Sequence, residues 1–144
     1  MTEQEKPVRG LRGRGRFSSG TERWSRSDWW GIVLEAPDPV VVGHFWSELM
    51  GWPVWKEDEN DVALDVGEGV GYLSVQRAEH FVRPVWPPEP GTQGMQMHLD
   101  VEVDDLEAAV AHAVELGATV AEFQPQEDVR VLLDPAGHPF CLYT

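Results

Sequence analysis

The chain has 144 residues, 42% of them hydrophobic, with seven tryptophans and a formal net charge of −14. That is apolar material for one substantial core and too much for a disordered chain, yet no apolar run approaches the roughly 20 residues that cross a bilayer, so no membrane partner is expected. Charge is unevenly spread: residues 1–30 hold seven Lys and Arg against four acids (+3), and residues 31–144 hold four against twenty-one (−17), so the body repels phosphate backbones and no nucleic-acid partner is expected for it.

Residues 1–27 are rich in Gly, Ser and Arg and have no periodicity that could bury a face. They are expected to form a disordered or loosely attached basic arm. The arm lacks the apolar core of a secretion signal, so a cytoplasmic location is expected. Trp30 to Glu35 then alternates as a strand, with Ile32 and Leu34 on one face and Gly31, Val33 and Glu35 on the other. Ala36-Pro37-Asp38-Pro39 reads as a turn that starts a helix. Val40 to Met50 carries an apolar stripe of helical period at Val41, Val42, Phe45, Trp46, Leu49 and Met50, and Gly51 ends it. His44 falls off the stripe. Gly51 to Trp55 opens a second strand, Lys56 to Asp61 reads as a charged hairpin turn, and Val62–Val66 and Tyr72–Gln76 as two more strands.

Arg77 to Gly94 contains Pro84, Pro87, Pro88 and Pro90, which exclude a helix or a central strand and leave a stiff crossover. Its Arg83 and Trp86 either frame a pocket mouth or merely span the two halves. Beyond it Met97, Leu99, Val101 and Val103 alternate with His98, Asp100 and Glu102, the pattern of a half-buried strand. Asp104-Asp105 supplies side-chain oxygens for a helix start, Leu106 to Leu116 forms the helix, burying Leu106, Ala109, Val110, Ala113 and Val114, and Gly117 ends it. Val129–Leu133 and Pro139–Tyr143 are strands joined by the turn Asp134-Pro-Ala-Gly137. Phe140 and Leu142 face the helix, and Cys141 faces the other way. As the single cysteine, it allows no intramolecular disulfide, in keeping with a reducing compartment.

The two halves repeat one another. Asp38 lies thirteen residues before Gly51, Asp105 lies twelve before Gly117, and each glycine is followed three residues later by a valine, Val54 or Val120. The expected fold is therefore α+β, with two βαβββ modules (29–77 and 95–144) in one domain spanning 28–144, joined by the crossover 78–94. Strand parity gathers Gln96, His98, Asp100, Glu35, Tyr72 and Cys141 on one surface, with Trp86 at its rim.

Taken in order, Ala36-Pro-Asp-Pro with Phe45-Trp46 and Leu49-Met-Gly-Trp52, His98-Leu-Asp, Val103-Asp-Asp-Leu106, Leu116-Gly-Ala118 and Leu133-Asp-Pro-Ala-Gly-His-Pro-Phe140 resemble the vicinal oxygen chelate superfamily. It includes glyoxalase I, extradiol dioxygenases and the fosfomycin- and bleomycin-resistance proteins, and the resemblance is closest to its glyoxalase-like branch of unassigned function. It implies one curved eight-stranded mixed sheet, a half-open barrel with helices on the convex side and the site in the concavity. Metal-using members have ligands on the first and last strands of each module. Those positions hold His98, which matches, Gly31, which has no side chain, Cys141 in place of a glutamate, and Tyr72 or Ser74. The resemblance with these departures implies no cofactor or metal, although His98, Cys141 and Glu35 could form a site. The expected function is binding of a neutral or cationic small organic molecule by His98, Asp100, Gln96, Glu35, Tyr72, Cys141 and Trp86. The alternatives are a lyase or isomerase with His98 as general base or metal ligand, and a non-catalytic dimeric scaffold. A homodimer is expected in either case.

Overall fold

A computed structural model describes residues 29–67 and 71–144; the expectation for residues 1–27 lies outside that range. The first module runs β1 (Trp30–Ala36), α1 (Pro39–Met50), β2 (Val54–Glu57), β3 (Asp61–Asp65) and β4 (Gly71–Arg77). The second repeats the order as β5 (Leu99–Glu102), α2 (Leu106–Leu116), β6 (Thr119–Val120), β7 (Val129–Leu133) and β8 (Pro139–Tyr143). Each module is a four-stranded mixed sheet, in the order β1-β4-β3-β2 and β5-β8-β7-β6. In both, the first strand pairs parallel with the last, because the helix must cross over before the chain can return.

The helices begin and end for the reasons legible in the sequence. The Asp38 carboxylate accepts the Val40 and Val41 amides at 3.1 and 3.4 Å, Pro39 occupies the first turn, and Gly51 leaves in the left-handed conformation at φ 71°. Asp105 accepts the Ala108 amide at 3.0 Å, and Gly117 follows Leu116. Val42, Phe45 and Trp46 bury against the sheet, and Gly43 lets α1 approach so closely that a Cβ there would collide with Val62.

Three expectations are corrected. Lys56 and Glu57 belong to β2, and the hairpin turns instead on Asp58, whose carboxylate accepts the amides of Asn60 and Asp61 at 2.8 and 3.0 Å. The ladder of the fifth strand starts at Leu99, so His98 stands just before it. α2 is shallower than its pattern implies: Ala113 is its one buried residue, and Val114 is 46% exposed.

The single eight-stranded sheet is, among the described residues, two four-stranded sheets. β1 and β5 each end a sheet, with no ladder between them. The modules are joined through side chains. Phe45 and Trp46 on α1 lie 5.9 and 4.9 Å, ring centre to ring centre, from Phe140 on β8. The Trp46 indole N–H also donates to Asp134 Oδ2 at 3.0 Å. That carboxylate, 1% exposed, further accepts the amides of Ala136 and His138 at 3.0 and 2.9 Å, and lies 2.7 Å from His138 Nδ1. Four donors thus satisfy one buried anion, as such burial requires.

Candidate functional site

The parallel pairing of β5 with β8 sets Asp100 opposite Cys141, and alternation along the chain puts His98 on the same face as Asp100. A nitrogen of His98, a carboxylate oxygen of Asp100 and the Cys141 sulfur all lie within 4.8 Å of one another. His98 Nδ1 is 2.8 Å from Asp100 Oδ1. A carboxylate can only accept there, so Nδ1 carries the proton and Nε2 has the free lone pair. The Cys141 sulfur lies beside the Asp100 carboxylate. Its partial burial first, then the Asp100 charge, raise the thiol above its ordinary pKa. The group is thus an anionic carboxylate flanked by an imidazole and a thiol, with His98 and Asp100 open to solvent on one side.

His98 and Cys141 form the polar wall of a cavity of about 180 Å³. Val129, Val131 and Pro139 of the same sheet give it an apolar floor, Trp86 comes from the crossover, and Met95 from the start of the second module. The last side is the loop before β7, at Pro125 and Gln126. That loop is pinned from within. The Gln124 amide donates to the Ala121 and Val131 carbonyls and accepts the Val131 amide, and Arg130 Nη1 donates to the Glu127 and Val129 carbonyls at 2.7 and 2.9 Å. The Trp86 indole donates to the Phe123 carbonyl at 3.2 Å, which ties the crossover to the same loop. Drug-sized ligands fill cavities of about 300–1,000 Å³, so this one suits a smaller molecule or one that projects into solvent.

Of the residues that strand parity gathers, His98, Asp100 and Cys141 come together, and Trp86 joins His98 and Cys141 in lining the cavity. Gln96, Glu35 and Tyr72 do not line it. Gln96 and Glu35 are exposed. Tyr72, opposite Gly31 in the β1–β4 ladder, lays its ring where a Gly31 side chain would stand. It also packs edge-on against Trp55, which stacks on Trp29. The first module thus fills its own face with aromatic rings, and the cavity belongs to the second module. Val131 could have been found from the sequence, since the hairpin register pairs it with Cys141. Pro125 and Gln126 could not, because their loop has no period.

The donor set can be tested against the metal that the resemblance associates with these positions. An imidazole, a carboxylate and a thiol within 4.8 Å suit a divalent ion of borderline softness, such as zinc or nickel. Three is the smallest protein ligand number for a catalytic site of this kind, so these residues fit.

A family profile described as a glyoxalase-like domain matches residues 31–143. Among solved structures, the chain is similar to a glyoxalase/bleomycin resistance protein/dioxygenase family enzyme from Burkholderia phytofirmans PsJN, at TM-score 0.59 and 19% identity over 78% of this chain and 94% of that one. It is also similar to a glyoxalase-related enzyme from Fulvimarina pelagi, at 0.57 and 16% over 78% and 84%. A third is the fosfomycin resistance protein FosX from Mesorhizobium loti, at 0.57 and 13% over 80% and 89%. At these identities the likeness is one of fold. No curated protein matches the chain significantly.

Proposed function

We propose that this chain, which belongs to the glyoxalase-like domain family of the vicinal oxygen chelate superfamily, is an enzyme of lyase or isomerase type acting on a small organic molecule in the second module. The observation that carries this is the convergence of His98, Asp100 and Cys141 beside a cavity with an apolar floor. Asp100 fixes the ring so that Nε2 is the acceptor, and Nε2 takes a proton from an acidic C–H of the bound molecule and returns it elsewhere. The apolar floor and Trp86 hold the molecule and exclude water from part of it. Alternatively His98, Asp100 and Cys141 would hold a divalent ion, which would polarise an oxygen of the substrate and would engage His98 as a ligand in place of the base. Family membership also supports the two sheets closing toward each other as a half-open barrel with the helices outside, and a homodimer in the cytoplasm belongs to the same reading.

The test is solvent deuterium exchange into the carbon beside the carbonyl of hydroxyacetone and, separately, of pyruvate, followed by NMR with the full chain, with and without added zinc or nickel. His98→Ala should slow the exchange by the roughly 10²–10⁴-fold of a lost general base, and Asp100→Asn, which only frees the ring orientation, should slow it less. A wild-type rate equal to buffer in every arm would sink the proposal. A second reading, binding without metal or turnover, draws on Tyr72, whose ring takes the place of a ligand at Gly31. Metal-free protein by elemental analysis, with thermal stabilisation by small ligands and no exchange, would favour it.

A further inference from the structure

The crossover lays a second polar group, Arg83, against the β7–β8 turn that leads into this cavity's wall. Four Lys and Arg occur among the described residues. Lys56 pairs with Asp58 and Asp61. Arg77 donates to the Pro37 and Glu59 carbonyls, and Arg130 to those of Gln126, Glu127 and Val129. Arg83 is the one cation without a hydrogen bond or ion pair among the described residues.

It is nevertheless held in place. Its Cγ, Nε and Cζ lie 2.6–2.7 Å from where a Cβ on Gly137 would stand, so the side chain lies flat on the glycine backbone. Phe81, two residues earlier, packs edge-on against His138 at 5.6 Å. The crossover is therefore fastened to the β7–β8 turn on both sides of Val82, and only the guanidinium lacks a partner. Gly137 is two residues before Pro139 and Arg83 three before Trp86, and both Pro139 and Trp86 line the cavity. His98 and Pro139 line the same cavity, and two residues of chain hold the Gly137 backbone within roughly 7 Å of that of Pro139.

We propose that Arg83 anchors a carboxylate, and that the molecule bound beside His98 is a small monoanionic organic acid. The guanidinium presents paired N–H groups that match a carboxylate. The body of the acid lies on Trp86, Met95 and Val131, with a carbon near the carboxylate beside His98. Overall charge alone points to a neutral or cationic ligand. Arg83 supplies the local exception: the nearby acid, Asp100, is already engaged by His98 Nδ1 at 2.8 Å, and acids more than about 8 Å away are screened at physiological salt. A single charge is favoured over two, since each added charge meets the −17 of residues 31–144. This names the substrate class of the site proposed above and rests on that reading.

The experiment uses the full chain labelled with ¹⁵N, the Trp86 indole resonance assigned through Trp86→Phe, and two probes of one shape, benzoate and benzamide. Benzoate should shift the Trp86 resonance saturably and bind about tenfold or more tightly than benzamide. Arg83→Gln should bring benzoate down to the level of benzamide and leave benzamide unchanged, and Arg83→Lys should restore part of the difference. Benzoate binding equal to benzamide, unaffected by Arg83→Gln, or not saturable would each overturn the anchor. The exchange experiment with His98→Ala judges the site reading separately, so exchange that persists without benzoate binding removes the anchor alone.

Discussion

Burial, and then the charge of Asp100, push the Cys141 thiol up, so at neutral pH the sulfur keeps its proton and is a poor nucleophile. The rate of alkylation by iodoacetamide should therefore rise with an inflection above the usual thiol range, and Asp100→Asn should move it down and speed alkylation near pH 8. An unchanged profile in that variant would mean that Asp100 does not act on the sulfur. The sign for stability follows. A folded pKa above the unfolded one gives a contribution that is complete below the ordinary thiol pKa and is lost as pH rises through the raised value, so the group destabilises the fold only in alkali. Any ion held by Cys141 must displace that proton, so zinc affinity should increase with pH. On the other sheet, Gly31 has no room for a methyl group because of the Tyr72 ring. Gly31→Ala should cost about 1–3 kcal/mol by overpacking, measured by urea unfolding, and almost nothing in a Tyr72→Ala background. An equal cost in both backgrounds would rule out the ring as the obstacle.

At the scale of elements, α1 does more than cover its own sheet. Its Trp46 gives one of the four hydrogen bonds on the buried Asp134 carboxylate of the β7–β8 turn. Trp46→Phe keeps the ring contacts but removes that donor, and should cost about 1.5–3 kcal/mol with a fall in melting temperature of several degrees. A neutral result would show that water or a shifted His138 replaces the indole. The helices were legible in the sequence because their ends are chemical: Asp38 with Pro39, Asp105, Gly51 and Gly117 each do a local job. The order of elements along the chain in each module followed from duplication. What was not legible depended on depth or on distant partners. Alternation through Met97 and His98 cannot reveal that the ladder begins at Leu99, and the period of α2 cannot show that Val114 stays half in water. Parity put Glu35 and Tyr72 with His98, but parity is a property of one sheet, and these residues belong to another. That Tyr72 would fill the place beside Gly31 required knowing which strand lies next to β1.

For the whole molecule, sequence repetition has not produced two equivalent halves. One module closes its face with Trp29, Trp55 and Tyr72, and the other keeps a cavity with His98 and Cys141 on its wall. Each face depends on a different set of neighbours, and the crossover reaches the second module through Phe81, Arg83 and Trp86. The hydrogen bond from Trp46 to Asp134 and the contact of Trp46 with Phe140 then bear on how the chain could be divided. Cut after Gly91, the first piece would expose the indole and the Phe45–Trp46 apolar surface, and the second would strand a carboxylate short of one donor. With only about 60 described residues in the first piece (29–91) and fewer in the second (92–144), each buries too little surface to absorb such losses. The two fragments should be poorly structured when expressed separately and should reconstitute a native-like amide spectrum when mixed. A second fragment that gives the native spectrum by itself would show that the halves are autonomous. Complementation would instead make the repeat an obligate pair, in which neither copy can be exchanged for a second version of the other.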